Sequence, residues 1–282
     1  MKRGAAVVLD CDGTLIPKEP FTSLFNVIDS NGGVSLGCYE RAKEMRKHYL
    51  ALAYAGKLTE RCQRKWFSET IKLYVVSGLA MKKIGEILES VRLRPGVKEI
   101  LRELHTRGVP VAIVSYGIVQ FIESVLLVNG MRHYVDAIYA ANLRVDASGL
   151  VTGFHPRSAV YPFNKGYFSR QFADLHRVPY RNLLAVGDSP NGDCGLGHFK
   201  KNRFGIARDE SERKRLLKVM GAAAVTESFD PAADWLRMKL ADIMQEPARD
   251  ERVACANPLC GKNEKTCPDC GNSLPKPMKV GN

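Results

Sequence analysis

An open α/β fold built on a parallel sheet follows from three apolar runs that share one kind of ending. Residues 5–9 (AAVVL) stop at Asp10-Cys11-Asp12-Gly13-Thr14, residues 109–115 (VPVAIVS) at Ser115-Tyr116-Gly117, and residues 182–187 (NLLAVG) at Asp188-Ser189-Pro190-Asn191-Gly192. Each run is short and apolar, as a buried strand of the parallel type must be, and each closes on small, polar or acidic residues. Segments with apolar residues at helical spacing, 97–107, 119–129 and 165–176, lie between the strands as crossover helices. In such a sheet the ligand sits beyond the carboxyl ends of the strands, and function is to be sought there.

The remaining elements follow in chain order. Residues 17–93 form a long insertion with helical segments at 38–55, 59–75 and 79–90, read as a separate α-helical cap on a core of residues 1–16 and 94–245. Alternation within 136–161, around the turn Asp146-Ala147-Ser148-Gly149, predicts a β-hairpin close to the active face. Residues 221–225 (GAAAV) read as a last short strand and 234–244 as an amphipathic helix. The basic run Lys200-Lys201-Asn202-Arg203, followed by Arg213-Lys214-Arg215, reads as a solvated helix face. Polar and charged residues around Pro247 mark 246–254 as a linker, and 255–282 is left as a small unit with a tail.

A chain of 282 residues accommodates one α/β domain and a smaller accessory unit. No stretch reaches the roughly 18 to 20 apolar residues that span a bilayer, and Met1-Lys2-Arg3-Gly4 leads straight into the first strand, so a soluble cytoplasmic protein without membrane contact is expected. The formal charge of +12 favours acidic partners such as phosphorylated metabolites or nucleic acid, but it is spread along the chain. Cys11, Cys38, Cys62 and Cys194 are scattered, whereas Cys255, Cys260, Cys267 and Cys270 are packed together, a distribution that suits a reducing compartment and one metal site.

Those four cysteines form two knuckles, Cys255-x4-Cys260-Gly261 and Cys267-Pro268-Asp269-Cys270-Gly271, whose thiolates suit a closed tetrahedral Zn²⁺ site in a unit too poor in apolar residues to fold alone. The unit is similar to the small zinc ribbons, although its first knuckle is two residues wider than the usual spacing, and a disulfide pair is the alternative. A ribbon of this kind serves protein contact, nucleic-acid contact or a homodimer, and its residues do not decide among them.

The chemistry is concentrated at the strand ends. In Asp10-x-Asp12 two carboxylates point to the same side, because side chains at i and i+2 share a face. A carboxylate with a reference pKa of about 4 is ionised at neutral pH and can attack phosphorus when a cation screens the phosphate dianion. Mg²⁺ does this with a few oxygen ligands, and Asp188 and Asp193 of GDSPNGD are the candidates to complete its shell. Ser115 can donate to a phosphoryl oxygen and Lys165 can neutralise charge on the transferred group. Gly13 and Thr14 complete the phosphate-binding candidates, Thr14 reading equally well as a turn-stabiliser, and Asn191 either contacts the phosphate or serves a left-handed turn.

Taken in order, DCDGTL, VAIVSYG, Lys165 in FNKG and VGDSPNGD resemble the four motifs of the haloacid dehalogenase (HAD) superfamily. The resemblance covers about residues 5–240. It implies an open Rossmann-like core, Asp10 as a nucleophile that becomes a phospho-aspartyl intermediate, and Asp12 as general acid and base. It also implies a Mg²⁺ ion held by Asp10, the Asp12 carbonyl and Asp188, with Asp193 in support. An aspartate at position 12 implies phosphoester hydrolysis or mutase chemistry, because members that dehalogenate, cleave phosphonates or pump ions carry other residues there.

The inserted cap is similar to that of the phosphoserine phosphatase-like branch, where a glutamate and an arginine face the substrate; Glu19 and Arg61 are their loose counterparts. The sequence departs from that branch at Tyr116, where a glycine is usual and a tyrosine would crowd or stack on the substrate, and by an extra residue before Asp193. The stretch from Trp66 through VSYGI to FNKG and GDS is also similar to the cytosolic pyrimidine 5′-nucleotidases, while Trp66, Phe67 and Tyr74 otherwise read as packing within the cap. The expectation is a Mg²⁺-dependent phosphatase of a small phosphorylated metabolite. A nucleoside 5′-monophosphate is the alternative substrate, and a zinc-ribbon adaptor for nucleic acid or protein is the alternative of another class.

Overall fold

The strands of the chain are β1 (Ala6–Leu9), β2 (Val111–Ile118), β3 (Ala137–Ala141), β4 (Leu143–Val145), β5 (Val151–Phe154), β6 (Leu183–Gly187), β7 (Arg203–Ala207) and β8 (Ala222–Val225). A computed structural model describes residues 4–18 and 23–245. Glu19, the linker and the cysteines Cys255, Cys260, Cys267 and Cys270 lie outside the described residues.

Six strands form one sheet in the order β3-β2-β1-β6-β7-β8, every neighbouring pair parallel. Alternation along β1 feeds both layers of the core. Val7 and Leu9 join Val111, Ile113, Leu184 and Val186 on one face, and Ala6 and Val8 join Ala112, Val114, Leu183 and Ala185 on the other. The first face is covered by α5 (Val97–Thr106), α6 (Val119–Val128) and α9 (Asp230–Gln245), the second by Phe172 and Ala173 of α7 (Lys165–Leu175). The expected strands and crossover helices are therefore present.

Two segments fold differently from the expectation. Lys200-Lys201-Asn202-Arg203 is not a solvated helix face: a short turn over Lys200–Asn202 leads into β7, which is buried throughout. The Arg203 side chain goes inward because three carbonyls receive its guanidinium, those of Gly197 (3.1 Å), Val219 (2.9 Å) and His198 (3.3 Å). Within 136–161 only β4 and β5 make the hairpin, around the expected turn, in which Asp146 Oδ1 accepts from the Ser148 and Leu150 backbone N–H groups. Residues 137–141 instead form β3, the edge strand of the main sheet beside β2.

Between β1 and α5 the chain forms α1 (Leu24–Ile28), α2 (Leu36–Tyr54), α3 (Glu60–Val76) and α4 (Met81–Leu88), with a kinked turn at Asp29–Gly33. Thr59 caps α3 by accepting from the Cys62 N–H (3.2 Å), and Phe67, Ile71 and Tyr74 fall on its buried face. The hairpin turn clasps the α3–α4 link through Met81 N–H to Gly149 O and Val151 N–H to Leu79 O, each 2.9 Å. Among the described residues no helix is long and apolar enough to cross a membrane.

Arg94, just before α5, locks the loop after β1 in place. Its guanidinium is buried and donates to the carbonyls of Gly13 (2.8 Å), Thr14 (3.0 Å), Thr226 (3.2 Å) and Glu227 (2.9 Å). Arg94→Leu leaves these acceptors without a donor, and a loss of about 3 kcal/mol in unfolding free energy is expected from urea denaturation followed by circular dichroism. A loss below about 1 kcal/mol would show that water or a shifted loop satisfies them.

Candidate active site

The chain leaves β1 for β2 and β3 on one side and later returns to lay β6, β7 and β8 on the other, so β1 and β6 are neighbours at the reversal of strand order. Loops diverge there and leave a crevice. Leu9 pairs with Ile113 on β2 and with Val186 on β6, which brings Asp10, Ser115 and Asp188 to the same end of the sheet. Lys165, the first residue of α7, enters from the layer behind them. A cavity of about 430 Å³ opens over this point, with Asp10, Asp12, Ser115, Lys165, Asp188 and Asp193 among the residues that line it. Its other wall comes from the helical insertion, through Phe25, Asp29, Arg46, Leu50, Trp66 and Phe67.

The acids are held by a defined set of donors. Lys165 Nζ donates to Asp10 Oδ1 and Asp193 Oδ1, each at 2.6 Å, and all three groups are buried. The other oxygen of Asp193 accepts the Asp188 N–H (2.9 Å) and the Ser189 N–H (2.8 Å), so Asp193 shapes the loop after β6. Asp12 Oδ1 accepts the Leu24 N–H at the start of α1 (2.9 Å). Lys18 Nζ forms an ion pair with Asp188.

Burial dominates the electrostatics. It pushes the Asp10 carboxyl well above the usual carboxylate range against the opposing pull of Lys165, and raises Asp188 against the pull of Lys18. Asp12 is raised to about 6 by the same cause, opposed by the Leu24 N–H. Burial alone would lower the Lys165 pKa, but Asp10 and Asp193 outweigh it and keep the ammonium charged.

Asp10, Asp188 and Asp193 bring carboxylate oxygens within 4.8 Å of one another. This all-oxygen donor set suits a hard divalent cation. Asp193 has both oxygens engaged and Asp10 and Asp188 have one each engaged. The residues present therefore fit Mg²⁺ with Asp10 and Asp188 as ligands and Asp193 behind them.

Asp10, Asp12, Ser115, Tyr116, Lys165, Asp188 and Asp193 share the cavity, whereas Gly13, Thr14 and Arg61 do not line it. Thr14 is fully buried with its hydroxyl unpartnered among the described residues, behind the loop that Arg94 holds. Arg61 lies on the exposed face of α3, because the inward face of that helix is the one that carries Phe67, Ile71 and Tyr74. The arginine that the helical insertion places in the cavity, among the described residues, is Arg46 of α2, which donates to Asp29 Oδ2 (2.9 Å). Tyr116 lines the cavity, but its hydroxyl donates to the Gln63 carbonyl (3.1 Å), so it ties the core to α3. Phe67 and Tyr74 pack within an aromatic cluster with Phe25, and Trp66 stacks on Tyr49 with ring centroids 5.2 Å apart. Lys18, Arg46 and Arg208, all lining the cavity, carry no spacing signal relative to the aspartates.

The profile of the haloacid dehalogenase-like hydrolases matches residues 7–198, more than half of the chain. The chain belongs to this family. A phosphoserine phosphatase of Methanocaldococcus jannaschii is 25% identical over 208 residues, covering 73% of this chain and 86% of the relative. Among solved structures, a phosphoserine phosphatase captured as an analogue of its phospho-aspartyl intermediate superposes with a TM-score of 0.61 at 19% identity, over 83% of this chain and 99% of that one. Cytosolic 5′-nucleotidase IIIB bound to cytidine superposes with a TM-score of 0.67 at 17% identity, over 84% and 87%. The last two likenesses establish the fold. The expected enzyme class, a phosphoric monoester hydrolase of the HAD type, agrees with the family and with the names of its relatives.

Removing the Lys165 ammonium leaves buried carboxylates facing one another. Lys165→Met is expected to lower the unfolding free energy by about 3–5 kcal/mol in urea titrations with chelator present. An unchanged midpoint would mean that the acids are neutralised by proton uptake and that Lys165 contributes nothing to their stability.

Proposed function

We propose that this HAD hydrolase cleaves a small phosphomonoester, of the size of phosphoserine, in two steps through a phospho-aspartyl intermediate on Asp10. The observation that carries the proposal is the convergence of Asp10, Asp12, Ser115, Lys165 and Asp188, from four separate segments, on one cavity at the strand-order reversal. Residues 17–93 act in it as the cap on a core of residues 1–16 and 94–245.

In the first step a carboxylate oxygen of Asp10 attacks phosphorus, the bond to the leaving oxygen breaks, and Asp12 gives that oxygen its proton. In the second, Asp12 takes a proton from water, the water oxygen bonds to phosphorus, and the Asp10 carboxylate is released with inorganic phosphate. With its pKa raised to about 6, Asp12 is suited to both directions of transfer near neutrality. Lys165 holds Asp10 Oδ1 and so fixes the orientation of the carboxylate. Ser115 donates to a phosphoryl oxygen as charge builds on the transferred group. Asp10 and Asp188 would hold Mg²⁺, which supplies screening of the phosphate charge from the attacking carboxylate.

The leaving group faces the insertion. Phe25, Leu50 and Trp66 offer it apolar surface, and Arg46 offers a cation away from the catalytic aspartates, fixed by Asp29. A small alcohol with an acidic group fits this wall, which accords with the phosphoserine phosphatases among the relatives. A nucleoside 5′-monophosphate is the second reading, favoured by the partly exposed Trp66 ring on the cavity wall.

Phosphate release measured over a panel that includes phosphoserine and nucleoside monophosphates, with and without Mg²⁺, tests the proposal. Turnover is expected with Mg²⁺, none with Asp10→Asn, and a kcat about 100- to 10,000-fold lower with Asp12→Asn. Wild-type protein that releases no more phosphate than Asp10→Asn across the panel would end the proposal.

A further inference from the structure

Lys18 stands apart from the chemistry just described, although it touches one of its acids. Its ammonium lies between two carboxylates from different parts of the fold: Asp188, after β6, and Glu212 of α8 (Glu210–Leu216), whose Oε1 is 3.3 Å away. The two acids are nearly buried, with side-chain exposures of 5% and 7%, against 19% for Lys18. Glu212 is a prepared partner. Its Oε2 accepts the Arg208 backbone N–H (2.8 Å) and Nε (3.3 Å), which leaves Oε1 turned to Lys18.

The loop is built around this approach. Gly13 adopts φ +80°, and a Cβ there would collide with the Asp188 carboxylate and with Lys18 Cε. No side chain fits where the lysine stem passes, so the glycine of the first motif serves the lysine as well as the turn.

We propose that Lys18 competes with the divalent cation for Asp188 and withdraws to Glu212 when the cation binds; this rests on the metal site put forward above. Five aspartates, Asp10, Asp12, Asp29, Asp188 and Asp193, line the cavity with Lys18, Arg46, Lys165 and Arg208. Lys165 is committed to Asp10 and Asp193. Lys18 has an alternative anchor in Glu212, which is not one of the aspartates of the proposed metal site. A cation arriving at Asp188 meets a like charge a few ångströms away, which repels it unless the lysine moves. Glu212 gives that movement a destination within the same side chain's reach, so Lys18 sets the affinity of the site and keeps Asp188 paired at low metal concentration.

Mn²⁺ binding to the full-length chain, followed by the electron paramagnetic resonance of the free ion, reads this directly without any turnover, since Mn²⁺ also takes oxygen ligands. Lys18→Met is expected to tighten Mn²⁺ binding by about tenfold, the order expected for removing a nearby like charge at a partly screened site. Lys18→Arg, which keeps the charge, should bind no more tightly than wild type. Glu212→Gln should weaken binding in the wild-type background and have no effect in the Lys18→Met background. Unchanged or weaker binding by Lys18→Met would overturn the proposal, as would an equal effect of Glu212→Gln in both backgrounds. If thermal unfolding shows that Glu212→Gln does not fold, the Met and Arg variants of Lys18 decide the matter between them. Wild-type affinity in Asp188→Asn would instead remove the metal-site reading, and the proposal with it.

Discussion

The Lys165 ammonium reaches from the first turn of α7 to Asp10 and Asp193 at once, 2.6 Å from each, in a place with almost no solvent. Burial on that scale pushes carboxyls towards their neutral form, and a neutral Asp10 is a poor nucleophile. The Lys165 ammonium opposes this at Asp10, where burial still has the larger effect. It also couples Asp10, the proposed nucleophile, to the loop after β6, because the second oxygen of Asp193 holds the N–H groups of Asp188 and Ser189. One side chain thus fixes the orientation of Asp10 and, through Asp193, the position of Asp188.

Such a cluster can be assembled only where strand ends from distant parts of the chain meet, and the strand order supplies that place between β1 and β6. This is why so much of the site was legible in the sequence. Asp10 and Asp188 follow directly on apolar strands and Ser115 lies within one, with Asp12 and Asp193 in the loops that continue from them, so recognising the strands locates these residues. Lys165 opens a helix and was found by its motif. The residues that escaped notice act through partners remote in sequence. Arg94 donates to carbonyls at positions 13, 14, 226 and 227, and neither its neighbours nor its spacing announces them. Arg203 looked solvated because it follows two lysines, but acceptors from Gly197, His198 and Val219 take it inside and turn its segment into β7. β3 was hidden for a related reason: its alternation with the following hairpin is continuous, and only pairing with β2 separates them.

The helical insertion shows where motif matching stops being informative. A position is carried from one protein to another by counting residues, but the face of a helix is decided by what it packs against. On α3 the packed face belongs to Phe67, Ile71 and Tyr74, which leaves Arg61 outside. Arg46 on α2 stands in the cavity instead, steadied by Asp29 at the kink after α1. Tyr116 follows the same rule. A ring expected against the substrate spends its hydroxyl on the Gln63 carbonyl and packs beside Phe67 and Tyr161, so it joins β2 to the helical insertion.

Asp12 connects this outer wall to the chemistry. Its Oδ1 accepts the N–H of Leu24, the first residue of α1, so the proposed general acid is oriented by the element that opens the insertion. The Leu24 N–H stabilises the ionised form of Asp12, while burial favours the protonated one. A displacement of α1 that broke this contact would remove the stabilising donor and free the carboxyl to rotate. In the proposed mechanism, proton transfer therefore depends on the insertion being seated, quite apart from any contact it makes with the substrate. The same short helix carries Phe25 against Phe67, Tyr74 and Phe121, so its seating is set by the aromatic packing between insertion and core. Under the proposed function, general acid catalysis and selection of the leaving group then answer to one structural element, and a substrate that holds the insertion in place also sets the proton donor.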